Sequence, residues 1–174
     1  MDLREENKMY KFTGFTQKAN TALNSAISFA EQSGHTYIGS EHLLYGLLVS
    51  DGSIASTMLE SKGITADNVQ KIITKNVGVG TPTVLSPGDF TPRSKNIVET
   101  AIMTARSGGQ GFAGTEHILL AILRDTSCFA VSLLEGLGVN GNEVASEIAR
   151  SFSNGQSTAQ QRLKQKAKQN GGTP

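Results

Sequence analysis

The chain has 174 residues, 37% of them hydrophobic, and a net charge of +1, enough apolar material for one ordinary domain or two small packed units. A balance so near neutral gives no argument for nucleic-acid or membrane binding. The single cysteine, Cys128, excludes an internal disulfide and, lying in an apolar stretch, reads as core filler in a reducing compartment.

Residues 1–12, MDLREENKMYKF, form a polar N-terminal extension with no apolar core of a secretory signal, and no run approaches the eighteen apolar residues of a membrane span. A soluble, cytoplasmic protein is expected. Thr16 is an N-cap candidate for a first helix whose buried stripe is Ala19, Leu23, Ala26, Ile27 and Ala30. Ser40 is predicted to cap a second helix with inner face Leu43, Leu44, Leu47 and Leu48. Asp51 opens a third, Gly63 ends it by supplying a left-handed residue, and Thr65 starts a fourth. Residues 78–89, rich in Gly, Pro and Thr, read as a connector.

The same signals then return. Thr91 precedes Pro92 at the favoured first helical position, Thr115 precedes Ile118, Leu119, Ile122 and Leu123, and Thr126, Gly138 and Asn140 mark the remaining boundaries. Residues 15–73 align without a gap to residues 90–148 at a constant offset of 75, with about seventeen of the 59 pairs identical. Strand-like alternation is absent, so the expected fold is all-α: a folded unit at 13–152 holding two tandem four-helix repeats, 15–77 and 90–152. Residues 153–174 are polar and read as a linker, with Arg162, Lys164, Lys166 and Lys168 as a solvated run and not a nucleic-acid arm.

Residues 109–114, GQGFAG, spell the dinucleotide fingerprint G-x-G-x-x-G. That fingerprint needs a preceding strand, and here a helix precedes it. The first copy reads GHTYIG, keeping the outer glycines but placing Thr36 at the middle one. What the copies share is Gly-[Ser/Thr]-Glu-His-[Leu/Ile]-Leu, a loop delivering a helix with Glu41 or Glu116 in the first turn, where the helix dipole favours a carboxylate. His42 and His117 follow. They are candidates for a general base or a metal ligand, the basis of an alternative reading as a small Glu–His hydrolase. Each copy, however, offers one histidine beside one carboxylate and no ligand cluster, so no catalytic or metal site is expected, and a hydrogen-bonded histidine packed between the copies is the better reading. His35 has no counterpart, Gln110 standing in its place. Lys18 and Arg93 sit in first turns, where the dipole penalises a cation by roughly 0.3–1 kcal/mol unless it faces water or an anion docks there.

The doubled pattern, GHTYIGSEHLLYGLL and FTPRS followed by GFAGTEHILLAIL, resembles the Clp N-terminal repeat domain, the ClpC-type version in particular, over about residues 13–152. The resemblance implies a pseudo-twofold bundle of eight helices that precedes AAA+ ATPase modules. It also implies a non-catalytic role: recognising unfolded or arginine-phosphorylated substrates and adaptor proteins, and passing substrates to the ATPase ring and its partner protease. ClpC-type domains of Gram-positive bacteria bind phosphoarginine at two equivalent sites, and the resemblance implies Thr16 with Glu41 in copy one and Thr91 with Glu116 in copy two as the matching positions; Lys18 and Arg93, by their first-turn positions, are the candidates for secondary anion contacts. A carboxylate suits the guanidinium, and a threonine-capped helix start suits the phosphate. No cofactor is implied, and with no Walker A motif the chain is not expected to hydrolyse ATP. A module that binds only adaptors or unfolded segments, without phosphoarginine recognition, is the alternative within the family.

Overall fold

The computed structural model describes residues 9–152, so the predicted linker and most of the N-terminal extension lie outside the described residues. Repeat one folds as α1 (Gln17–Gln32), α2 (Ser40–Val49), α3 (Ile54–Ser61) and α4 (Ala66–Val77). A 3-10 turn at Pro87–Asp89 follows the connector. Repeat two is α5 (Pro92–Ser107), α6 (Thr115–Arg124), α7 (Phe129–Gly136) and α8, helical from 141 to 152. Among the described residues there is no strand, only two isolated bridges. The architecture is the all-α, twice-four-helix one that the repeat predicts.

The leucine-rich α2 and α6 are too apolar to lie on a surface, and they form the centre. Ser40–Leu44, Gly46–Leu48, Thr115 and His117–Leu123 are all buried. α2 touches α1, α3 and α4 of its own repeat and α5, α6 and α7 of the other, so the two repeats share one core. Within repeat one, α1 and α2 run antiparallel: Lys18 Nζ at the start of α1 donates to Asp51 O just past α2 (2.8 Å), and Ser50 Oγ donates to Lys18 O (3.0 Å). Gly46 makes the close approach possible, because a methyl there would overlap the Ala22 carbonyl oxygen of α1. The equivalent residue of repeat two is Ala121, and there a cleft of about 480 Å³ lies between α5 and α6, lined by Arg93, Thr100, Ala121 and Arg124 among others.

The repeats are related by a pseudo-twofold, visible in reciprocal contacts between residues 75 positions apart. Phe15 bridges to Ala113 as Phe90 bridges to Ile38. Ser40 Oγ accepts the Ala130 N–H (3.1 Å) and Thr115 Oγ1 accepts the Ala55 N–H (3.2 Å). This last pair corrects the sequence reading, in which Ser40 and Thr115 cap their own helices. The N-caps there are Gly39 and Gly114, and each hydroxyl is the first helical residue's, reaching across the interface to the first turn of the partner repeat's third helix. Asp51 and Thr126 do not open those third helices either. Ser53 caps α3 through a bond from the Ser56 N–H, and Cys128 precedes α7 without a capping bond from its own side chain. Asp51 is held instead in the turn after α2, where its carbonyl receives Lys18.

The other boundaries agree. Thr65 and Asn140 accept first-turn N–H groups, and Gly63 and Gly138 have φ of 81° and 85° just past α3 and α7, the left-handed conformation for which glycine is suited. The end of the extension is tied to the fold. Asn24 brackets the Tyr10 backbone, accepting from its N–H (2.6 Å) and donating to its carbonyl (2.8 Å). Asn20 brackets Phe12 in the same way at 2.7 and 3.1 Å, one helical turn earlier.

Candidate functional site

Thr16 and Thr91 take the extended N-cap conformation, and their hydroxyls accept the N–H of Ala19 (3.2 Å) and Ser94 (3.0 Å). Their backbone N–H groups then point into the opposite repeat: Thr16 N–H donates to Ala113 O (2.9 Å), and Thr91 N–H donates to Ile38 O (3.1 Å). The acceptor loops continue directly into Gly114–Thr115–Glu116 and Gly39–Ser40–Glu41. The structure therefore brings Thr16 towards Glu116 and Thr91 towards Glu41. This corrects the pairing of Thr16 with Glu41 and of Thr91 with Glu116. Because α1 and α2 are antiparallel, the two residues of one repeat lie at opposite ends of a ten-residue helix, a separation of about 15 Å at 1.5 Å per residue.

Each glutamate folds back over the glycine that caps its helix. A Cβ on Gly39 or Gly114 would collide with Oε1 of Glu41 or Glu116, so glycine is required there for close approach and not for its φ, which is −100° and −97°. The outer glycine of the shared motif thus has a cause. The middle one of GQGFAG, Gly111, has neither a near neighbour nor a positive φ, so the nucleotide-like spelling is incidental.

The two carboxylates sit in different surroundings. Glu41 is 5% exposed, and the Tyr37 hydroxyl donates to its Oε2 at 3.1 Å. Burial pushes the Glu41 carboxyl above the usual carboxylate range, outweighing its own backbone N–H, the Tyr37 hydroxyl and His35, all of which favour the charge. Burial and the neighbouring carboxylate raise Tyr37 to about 12. Glu116 is only half-buried, and Phe112, which stands where repeat one has Tyr37, is 62% exposed.

The histidines lie beneath these helix starts. The Gly39 N–H donates to His42 Nδ1 (2.8 Å) and the Gly114 N–H to His117 Nδ1 (2.9 Å), so both rings satisfy the N-cap backbone. With Nδ1 accepting, His42 carries its proton on Nε2, which donates to His35 Nδ1 (2.7 Å), and His35 Nε2 donates to Gly78 O (2.8 Å). Burial first, and His35 second, depress His42 to about 3. His117 is likewise lowered by burial, against the pull of Glu116, and stacks on Phe152 at 4.6 Å. Both rings are buried, with Nδ1 occupied by the N-cap N–H, as hydrogen-bonding groups inside the fold. Among the described residues no group of three His, Cys, Asp or Glu is placed to hold a metal ion.

Lys18 and Arg93 are drawn away from the helix starts. Arg93 Nη1 pairs with Asp125 (2.6 Å) and donates to Ser127 (3.1 Å), as Lys18 reaches Asp51 O. Each first-turn cation thus lies at the C-terminal end of its antiparallel neighbour, where a helix dipole is negative, and this offsets its cost. Cys128 is buried, its thiol pushed up by burial and directed to Ile122 O at 3.6 Å, consistent with core filler. Tyr37 and Phe112 escape the sequence reading, although the offset of 75 aligns a hydroxyl in one copy with none in the other. No single helix among the described residues is long and apolar enough to cross a membrane.

Comparison with known proteins agrees with this architecture. A sequence model of the Clp repeat (R) N-terminal domain matches residues 14–88 and again 89–170. The chain is 34% identical over 139 residues to the chloroplastic chaperone protein ClpC1 of Oryza sativa subsp. japonica, covering 80% of this chain and 15% of that one. It is 33% identical over 163 residues to chaperone protein ClpB of Oceanobacillus iheyensis, covering 94% and 20%. It therefore spans a fifth or less of these relatives. Among solved structures, the N-terminal domain of the chaperone ClpD from Arabidopsis thaliana superposes with a TM-score of 0.66 at 22% identity, over 83% of this chain and 97% of that one. A ClpV N-domain in complex with a VipB peptide superposes at 0.60 and 23%, over 80% and 88%.

Proposed function

The chain belongs to the Clp repeat N-terminal domain family, and on that premise we propose that it is the substrate- and adaptor-recognition domain of a ClpC-type AAA+ unfoldase, with two sites for phosphoarginine. The observation that supports this reading is the pair of reciprocal bonds, Thr16 N–H to Ala113 O and Thr91 N–H to Ile38 O. Each sets a threonine-capped helix start beside a glutamate-bearing helix start of the other repeat. First-turn N–H groups lack intrahelical partners, so the end of α1 or α5 suits the phosphate. The glutamate facing it suits the guanidinium, whose N–H groups form charge-assisted bonds to a carboxylate. A ligand carrying both charges a few ångströms apart matches that arrangement better than a simple anion, which the carboxylate would repel.

The test is calorimetry with free phosphoarginine. Glu41→Ala combined with Glu116→Ala is expected to leave the fold intact and abolish binding, and unchanged binding would remove the site assignment. The pairing across repeats has its own test, since Thr16→Ala should couple energetically to Glu116→Ala and add independently to Glu41→Ala. A second reading, binding of adaptors or unfolded segments alone, draws on the exposed ring of Phe112. It is selected if such proteins bind and phosphoarginine does not compete.

A further inference from the structure

Resting on that reading of the two sites, we propose that they are unequal: the Thr16–Glu116 site is open, and Tyr37 holds the Thr91–Glu41 site closed. In repeat one, Glu41 is enclosed. The Tyr37 hydroxyl occupies Oε2 at 3.1 Å, and the Tyr37 ring stacks on His35 (centroids 5.9 Å apart, planes 10°) and meets His42 edge-on (5.3 Å, 70°). His35 is itself fixed at both ring nitrogens, by His42 and by the Gly78 carbonyl of the connector. The tyrosine is thus fastened at its hydroxyl and across its face, and it leaves Glu41 5% exposed.

Repeat two lacks both parts of this fastening. Gln110 stands where His35 does, removing the ring on which the aromatic side chain would stack, and Phe112 has no hydroxyl to give to Glu116. The Phe112 ring is accordingly released to 62% exposure, and Glu116 is half-buried. A guanidinium entering repeat one must break the Tyr37–Glu41 bond and displace the ring. One entering beside Glu116 meets a carboxylate to which no side chain among the described residues donates a hydrogen bond, with Phe112 exposed four positions before it in the chain. Tyr37 acts through Glu41 and is a positioning residue that sets which site fills first.

The experiment titrates the 174-residue chain with free phosphoarginine, by calorimetry for stoichiometry and by residue-resolved NMR for assignment. Wild type is expected to fill the Glu116 site first, with the Glu41 site at least about tenfold weaker, the scale of one hydrogen bond to a charged group. Glu116→Ala should remove the tighter event and Glu41→Ala should spare it. Tyr37→Phe, which installs the residue repeat two already carries, should bring the second site within a few-fold of the first. Phe112→Tyr should weaken the first. Two sites of equal affinity in wild type, or a second site unmoved in Tyr37→Phe while Glu116 still governs the first, would overturn the asymmetry and leave the phosphoarginine reading standing. Binding governed by Glu41 and indifferent to Glu116→Ala would likewise overturn the asymmetry alone, whereas no binding to wild type, or binding unchanged in the Glu41→Ala/Glu116→Ala double variant, would overturn both. Melting curves of each variant separate loss of a site from loss of the fold.

Discussion

His42 shows how completely one side chain can be committed by its neighbours. A donor faces Nδ1 and an acceptor faces Nε2, so the neutral ring satisfies every bond, and a second proton would be set against the Gly39 N–H. The consequence for stability follows from the sign of the shift. His42 is depressed to about 3 from an ordinary 6.5; between those values the unfolded chain binds more protons than the folded one, so stability falls as pH falls through that window. The slope from this residue approaches about 1.4 kcal/mol per pH unit. Denaturant titrations at successive pH values should show that slope, and His42→Gln should flatten it. Glu41 works in the opposite sense. Its carboxyl is raised by burial, so holding it ionised opposes folding above its titration and ceases to do so below it. Glu41→Gln is therefore expected to melt higher than wild type at pH 7, with the gain shrinking as the pH falls towards 4.5 and gone below it, measured by circular dichroism. A residue kept at a cost to stability accords with the binding role proposed for Glu41. The sequence shows Glu41 as a dipole-complementing acid and stops there, because its burial depends on Tyr37 folding over it from the preceding loop.

At the scale of elements, helix starts are where sequence and structure part. The apolar stripe of α1 and the inner faces of α2 and α6 follow from periodicity, and Thr16, Thr65, Thr91 and Asn140 follow from capping chemistry. Ser40 and Thr115 look like caps by the same rule, and they do cap helices, but on the other repeat. No local rule distinguishes a hydroxyl that turns back on its own helix from one that turns outward. Here Gly39 or Gly114 holds the N-cap position with the glutamate folded over it, and His42 or His117 takes the N-cap N–H. Removing the hydroxyls alone tests the cross-repeat role. Ser40→Ala and Thr115→Val should each cost about 1 kcal/mol in chemical denaturation. Ser40→Ala should cost the more, since α3 keeps Ser53 as its own cap while Cys128 gives α7 none.

For the whole molecule, the offset of 75 residues makes the fold legible and leaves the site ambiguous. A perfect internal repeat is equally compatible with sites built within each copy and sites built between copies. The antiparallel turn from α1 to α2 sends Thr16 and Glu41 to opposite ends, and this placement is why sites between the copies are the ones proposed. The same interleaving means that neither copy completes a core alone. Ser40, Ile38 and Ala113 find their partners across the interface, and α2 is covered by α5, α6 and α7. Residues 9–88 expressed by themselves at dilute concentration are expected to lose the cooperative melt that the two-repeat chain shows, and retention of that melt would mean that each repeat is an autonomous unit.

The exchange of threonines between repeats has a further meaning. Two identical chains related by a twofold axis would form both helix-start junctions from one sequence, and any substitution would then appear in both at once. Joining the copies end to end removes that constraint, because each position of a junction is encoded separately. A single substitution, such as the one that separates a tyrosine from a phenylalanine, can then change the surroundings of one glutamate while those of its twofold mate stay as they were.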